Sequence, residues 1–141
     1  MLTKGYTFWI SGKNITMPKA MVHTNLSSVP EGFELRLSQK MAETFDFPLE
    51  VCYVCMTTND RISHNGSSDP MIFIDMVALD KFNEKTNPEY SRIFMKFVQD
   101  ELKLPLSRIF LQYHDAQIHN FGAQRIAPEY KDSRYFFNPL E

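Results

Sequence analysis

The chain contains an internal repeat, and this repeat limits the folds that it can adopt more than any other feature. The segment FPLEVCYV at 47–54 is matched by LPLSRIFL at 104–111, which lies 57 positions later. Carried backwards, the same offset pairs only apolar residues: Phe33 with Tyr90, Leu37 with Phe94, Met41 with Val98, and Phe45 with Leu102. In each copy these residues recur at every fourth position, which is the spacing of one helix face. The repeat therefore predicts one structural unit used twice, each copy with an amphipathic helix.

Strand-like runs lie on both sides of each predicted helix. We predict helices at 30–45, starting after Ser28 or Val29, and at 88–102, with Asn87 as the N-cap. The strand-like runs are 18–25 and 51–58 around the first helix, and 71–79 and 109–114 around the second. The polar segment 59–70 joins the two copies. This pattern predicts an α/β (α+β) fold, in which duplicated β-α-β units give a four-stranded mixed sheet with two helices on one face.

Two helices on a four-stranded sheet leave its second face without a cover. The run MIFIDMVAL at 71–79 carries apolar residues on both sides of its strand, so the second face is too apolar to be left in water. Another copy of the same sheet is the cover that we predict, which makes the protein a homo-oligomer.

Charge and hydropathy indicate which partners and which location to expect. The formal net charge of −2 gives no sign of a nucleic-acid surface. No apolar run approaches the roughly 18–20 residues that a membrane helix needs, so we expect no membrane partner. The apolar patch at 6–10 is shorter than the roughly 7–15-residue core of a signal peptide. We therefore expect a cytoplasmic protein, and any secretion would have to follow a non-classical route.

Cys52 and Cys55 form a C-x-x-C motif, which raises the question of redox chemistry. The local pattern is that of a strand, which would place the two residues on opposite faces and roughly 10 Å apart. A disulfide needs Cα atoms within about 7 Å of each other. We interpret both cysteines as structural. The histidines show no metal-ligand spacing, so we expect no metal site. We also expect no cofactor.

Several longer segments carry a family resemblance. They are the Met17-Pro18 pair, HTNLSSVPEGFELRLSQKMAE at 23–43, GSSDP at 66–70, EYSRIFMKFVQDELKLPLSRIFLQYHD at 89–115 and NFG at 120–122. In order and with few gaps, the chain at 17–123 is similar to the macrophage migration inhibitory factor and D-dopachrome tautomerase family of the tautomerase superfamily. The resemblance implies a homotrimer, keto–enol tautomerisation at subunit boundaries and, for one branch of the family, secreted cytokine activity. It also divides the chain into an N-terminal extension at 1–17, a family domain at 18–123 and a C-terminal tail at 124–141.

Pro18 is the catalytic residue that the resemblance implies. In the family the initiator methionine is removed, and the exposed proline acts as the base. An α-amino group titrates at about pH 7.7–8.0, and a buried apolar setting lowers its pKa further, so that a neutral amine is available. In this chain Met17 acylates Pro18, and an amide nitrogen is not a base. The resemblance therefore implies this mechanism only if Pro18 becomes the N-terminal residue.

The resemblance also assigns four substrate-binding positions, and most of them differ from the family pattern. The family's carboxylate-binding lysine is replaced by Phe47, and its pocket tyrosine by Phe110, so a charge and a hydroxyl group are lost. Its asparagine corresponds to Gln112, and its isoleucine, whose backbone amide faces the ligand, corresponds to Leu79. Arg61, in the joint between the two copies, is a candidate to replace the missing cation.

Two functions remain open at this point. The first is a tautomerase for a small aromatic keto or enol acid of the phenylpyruvate type, with weak activity or none unless Pro18 is freed. The second is a non-catalytic, cytokine-like protein that binds a cell-surface receptor with the same trimeric scaffold. The Met17-Pro18 pair favours the first. Phe47, Phe110 and Ala123, which stands where the family has a C-terminal aromatic residue, favour the second.

Overall fold

The structure is a computed structural model that describes residues 18–117. Its strands and helices are β1 (Lys19–Thr24), α1 (Phe33–Phe45), β2 (Tyr53–Thr57), β3 (Ile72–Ala78), α2 (Asn87–Leu102) and β4 (Ile109–Asp115). Short 3₁₀ turns precede β2 and β4, at Leu49–Val51 and Leu106–Arg108. No helix within residues 18–117 is both long enough and apolar enough to cross a membrane. The predicted extension at 1–17, Ala123 and the predicted tail at 124–141 lie outside the described residues.

The four strands form one mixed sheet in the order β2-β1-β3-β4. β1 runs parallel to β2, and β3 runs parallel to β4, so each helix joins a parallel pair, as predicted. The two units meet where β1 pairs antiparallel with β3, with Lys19 opposite Val77 and Thr24 opposite Ile72. One end of the sheet therefore carries the starts of β1 and β2 and the ends of β3 and β4. We call this end, marked by Pro18 before β1 and Leu79 after β3, the proline end.

The two copies of the repeat also end their helices in the same way. α1 is followed by Asp46 and α2 by Lys103, both with a φ of 60°. The backbone N–H of each donates to a carbonyl one turn earlier, that of Ala42 and that of Gln99 respectively. A left-handed residue at this position ends a helix and redirects the chain, here into the 3₁₀ turn. The two copies therefore share their helix ends as well as their apolar faces.

Both helices pack on the same face of the sheet and bury the predicted apolar stripe. The helix residues that are at most 1% exposed are Phe33, Leu37, Met41, Phe45, Phe94 and Val98. They share one core with the inward residues of the central strands, Ala20, Val22, Ile72, Ile74 and Met76. The remaining members of the repeat, Tyr90 and Leu102, are partly buried against the same core. The predicted helix faces are confirmed.

Both helices begin at residues other than those predicted. α1 begins at Phe33 instead of residue 30, because Gly32 has a left-handed φ of 82° that a continuous helix does not contain. The preceding residues form a turn, in which the N–H of Phe33 donates to the carbonyl of Pro30 at 3.1 Å. α2 begins at Asn87, so the predicted N-cap is the first helical residue, and Thr86 occupies the cap position.

Neither helix covers the other face of the sheet, as predicted. This face carries alternate residues of the strands: Lys19, Met21 and His23 of β1, Tyr53, Cys55 and Thr57 of β2, Phe73, Asp75 and Val77 of β3, and Phe110, Gln112 and His114 of β4. We call it the open face. Tyr53 and Phe110 are 57% and 47% exposed there. Large apolar and aromatic side chains on one exposed surface are typical of a face that pairs with another molecule.

Candidate functional site

Pro18, the predicted base, is buried at the proline end of the sheet. Its carbonyl oxygen accepts a hydrogen bond of 3.0 Å from the backbone N–H of Tyr53. The next residue, Lys19, pairs with Tyr53 on one side and with Val77 on the other. Pro18 is therefore held between the start of β2 and the end of β3.

Phe47 and Leu79 lie at the same end of the sheet. Phe47 follows α1, where its N–H donates to the carbonyl of Ala42 at 3.0 Å, and the chain then turns into β2. Leu79 follows β3 directly. The two residues are 6% and 4% exposed. The structure thus brings three of the five predicted site residues, Pro18, Phe47 and Leu79, to one apolar end of the sheet.

Lys81 is a charged residue at this end that the sequence patterns did not single out. It lies two residues beyond Leu79, and its Nζ atom is 5.3 Å from the centroid of the Phe47 ring. Burial lowers the pKa of Lys81, whereas the carboxylates of Asp46 and Asp80 act in the opposite direction. The proline end is therefore not purely apolar, because it contains a cation that is partly removed from water. Only its position two residues after Leu79 could have drawn attention to Lys81 in the sequence.

Phe110 lies at the end of the sheet remote from Pro18, and Gln112 lies midway along the same strand. Phe110 is opposite Phe73, which is opposite His23, five residues beyond Pro18 along β1. At about 3.3 Å per residue, this separates Phe110 from Pro18 by roughly 16 Å along the strand direction. Gln112 is two residues nearer the proline end, because it is opposite Asp75 and so opposite Met21, roughly 10 Å from Pro18 along the strand direction. Both side chains are on the open face. One chain therefore does not hold all five predicted residues in one pocket.

Arg61 is also remote from Pro18 within the chain. It lies in the joint, where the N–H of the preceding Asp60 donates to the carbonyl of Thr24, the last residue of β1. Arg61 lines an open pocket there together with Asn25. This pocket is at the end of the sheet opposite the proline end, so Arg61 does not supply the missing cation within one chain.

The two cysteines do not form a redox pair in the structure. Both are free thiols, and Cys55 is exposed on β2. Burial, followed by the charge of Glu50, raises the pKa of Cys52 to about 12, which suppresses the reactive thiolate at neutral pH. The structural interpretation of Cys52 is therefore supported. Within residues 18–117, no group of three or more His, Cys, Asp and Glu side chains is arranged to hold a metal ion.

Comparison with known proteins agrees with this architecture. Among curated relatives, the macrophage migration inhibitory factor of Meriones unguiculatus is 31% identical over 108 residues, which are 75% of this chain and 94% of the relative. That of Xenopus laevis is 23% identical over 108 residues, with the same coverage of both chains.

A solved structure shows the same fold. The macrophage migration inhibitory factor of Trichinella spiralis superposes with a TM-score of 0.71 at 19% identity, over 74% of this chain and 94% of the other. The sequence model of the family described as Macrophage migration inhibitory factor (MIF) matches residues 17–125, which is most of the chain. The chain therefore belongs to the macrophage migration inhibitory factor family.

Proposed function

We propose that this protein is a keto–enol tautomerase whose base is the amine of Pro18, and that it acts on small aromatic keto or enol acids of the phenylpyruvate type. The observation that carries the proposal is the burial of Pro18 at the end of the sheet that also holds the buried apolar side chains of Phe47 and Leu79. Apolar burial disfavours an ammonium ion, so a free amine at Pro18 is neutral at a pH where an exposed α-amino group is still protonated. A neutral amine can take a proton from the carbon next to a ketone, and delivery of that proton to the carbonyl oxygen gives the enol.

The amine exists only when Pro18 begins the chain. While Met17 acylates the nitrogen, its lone pair is delocalised into the amide and cannot accept a proton. We therefore propose no activity for the acylated form and weak activity for the form that begins at Pro18. The activity is weak because neither Phe47 nor Phe110 offers the substrate a polar hydrogen atom.

We propose a homotrimer as the active assembly. Two features of the chain support it: the open face, and the distance of roughly 16 Å along the strands between Pro18 and Phe110. In a ring of three copies, the Phe110 and Gln112 of one chain can complete the site at the Pro18 of the next. We place this assembly in the cytoplasm, with secretion by a non-classical route.

A second candidate is a non-catalytic, cytokine-like protein that binds a cell-surface receptor on the same scaffold. The aromatic side chains at positions 47 and 110 favour it, because neither provides the charge or the hydroxyl group that the resemblance assigns to the substrate pocket.

Comparison of two chains that differ by a single residue tests the proposal. One begins at Met17 and the other at Pro18, with intact mass measured for both, and the phenylpyruvate enol is followed by its absorbance. We expect tautomerisation only from the chain that begins at Pro18. Pro18→Gly in that chain should lower kcat/KM, because a secondary amine becomes a primary amine on a more mobile residue.

Equal rates from the two chains, unchanged by Pro18→Gly, would contradict the mechanism. No activity in either chain, with both folded, would favour the cytokine-like alternative.

A further inference from the structure

Lys81 and Phe47 form a close cation–aromatic contact at the proline end. The distance of 5.3 Å from Nζ to the ring centroid is within the roughly 6 Å over which a cation is attracted to an aromatic face. Lys81 is partly buried and Phe47 is buried. The contact joins the segment after α1 to the segment after β3. These segments lead into β2 and out of β3, the two strands between which Pro18 is held.

The backbone that carries Lys81 is held in place by its neighbours. The carbonyl of Lys81 accepts a hydrogen bond of 2.9 Å from the hydroxyl group of Thr86. The next residue, Phe82, is buried, and its ring stacks on that of Tyr113 with centroids 4.8 Å apart. The preceding residue, Asp80, has a left-handed φ of 54°. This backbone fixes where the Lys81 side chain starts, and the contact with the Phe47 ring fixes where its ammonium group lies, as a binding site requires.

Partial burial strengthens the attraction of Lys81 for an anion. Partial burial removes water from the ammonium group, and attraction between opposite charges grows as the effective dielectric constant falls. Burial lowers the pKa of Lys81, whereas the carboxylates of Asp46 and Asp80 favour its charged form and also repel an approaching anion, so a ligand has to approach from the side away from them. The Phe47 ring holds the cation by its quadrupole without neutralising the charge.

We propose that Lys81, seated on the Phe47 ring, binds the carboxylate of an anionic ligand at the proline end of the sheet. The inference rests on the proposed function for the ligand class, an aromatic carboxylic acid, and it adds the residue that recognises the charge. The Phe47 side chain is uncharged, and Lys81, in the segment after β3, places an ammonium group beside the Phe47 ring.

Binding of 3-phenylpropionate and of its neutral amide to the full chain tests this inference, since neither probe can tautomerise. Lys81→Gln should weaken binding of the acid by about tenfold or more, because a charge-assisted hydrogen bond is lost. Binding of the amide should be unchanged. Lys81→Arg keeps the charge and should retain more of the affinity for the acid than Lys81→Gln.

Lys85→Gln is the matched control. Lys85 is an exposed lysine four residues further along the same segment, so its removal changes the net charge equally and should leave acid binding unchanged. If Lys85→Gln weakens binding as much as Lys81→Gln does, the effect comes from net charge and the inference is wrong. The inference is also wrong if Lys81→Gln binds the acid as the parent chain does, or if the parent chain fails to bind it at millimolar concentration.

The outcomes separate this inference from the proposed tautomerase activity. Acid binding that depends on Lys81, in a protein that does not tautomerise phenylpyruvate when it begins at Pro18, would leave the inference standing and refute the enzyme. If the chain that begins at Pro18 tautomerises phenylpyruvate but acid binding does not depend on Lys81, the proposed enzyme stands and this inference is wrong.

Discussion

Gly32 shows how a single residue sets the start of a helix in this protein. Its φ of 82° lies in the left-handed region, which ordinary side chains rarely adopt. A Cβ atom at this position would lie 2.8 Å from Nη1 of Arg36. The Arg36 guanidinium is not free to move away, because it donates to the carbonyl of Glu31 and to both carboxylate oxygens of Glu101. Gly32 is thus required by backbone conformation and by space together.

Gly32→Ala should therefore destabilise the protein more than the same change at Gly66. Gly66 also has a left-handed φ, of 73°, but no atom lies within 4 Å of its added Cβ. We expect a loss of about 1 kcal/mol for Gly66→Ala, from backbone strain alone, and of roughly 1–3 kcal/mol for Gly32→Ala. Urea unfolding of both variants measures the difference. Equal losses would mean that Arg36 moves aside at no cost.

At the scale of elements, one ion pair joins the two copies of the repeat. Arg36, near the start of α1, donates from Nε and Nη2 to Glu101, near the end of α2, at 2.8 and 2.7 Å. The Arg36 side chain is 39% exposed and the Glu101 side chain 19%. The hydrogen bonds from Arg36, and then its charge, lower the pKa of Glu101 from its usual 4.5. A paired geometry of this kind is more favourable than a single exposed contact.

Glu101→Gln should lower the urea midpoint at neutral pH, and the effect should depend on pH. Because the pKa of Glu101 is lower in the folded state, the pair stabilises the protein above the unfolded pKa, and this contribution is lost as the pH falls through the folded value. The difference between parent and variant should therefore shrink below about pH 4.5. Glu89→Gln is the control, because Glu89 pairs with Arg92 within one exposed turn of α2 and should contribute less. A difference that persists at low pH would show that the charge of Glu101 is not its source.

The elements were predictable from the sequence to the extent that their signals are local. The apolar residues at every fourth position, such as Leu37 and Phe94, predicted both helix faces, because the period of a helix can be recognised from residues that are close together in the sequence. Pro30 matches a first helical turn by residue type, but Gly32 then takes a left-handed conformation, which composition does not reveal. The contact between Phe47 and Lys81 joins residues 34 positions apart, so it depends on how the segments after α1 and β3 come together.

At the scale of the whole molecule, the arrangement of the strands separates Phe110 from Pro18 within one chain. The strand order β2-β1-β3-β4 places β4 two strands away from β1, and Phe110 at the end of the sheet remote from Pro18. The strand patterns alone do not give this order, so they could not show that the predicted site residues are separated. Alternation along β4 puts Phe110 and Gln112 on the open face, which is accessible to a neighbouring copy. In the proposed site, one chain therefore supplies Pro18, Phe47 and Leu79, and a neighbouring chain supplies Phe110 and Gln112.

Two impaired variants should therefore regain tautomerase activity when their subunits mix. In chains that begin at residue 18, Pro18→Gly weakens the base, and Gln112→Glu places a carboxylate where an anionic substrate has to bind, so each homotrimer should be less active than the parent. If each site takes its base from one chain and Gln112 from the next, random mixing gives about a quarter of the sites both intact groups. Phenylpyruvate tautomerisation should rise accordingly after refolding of an equal mixture, with light scattering showing trimers and native mass spectrometry showing mixed ones. Mixed trimers that are no more active than the mean of the two parents would contradict a site that takes Pro18 from one chain and Gln112 from the next.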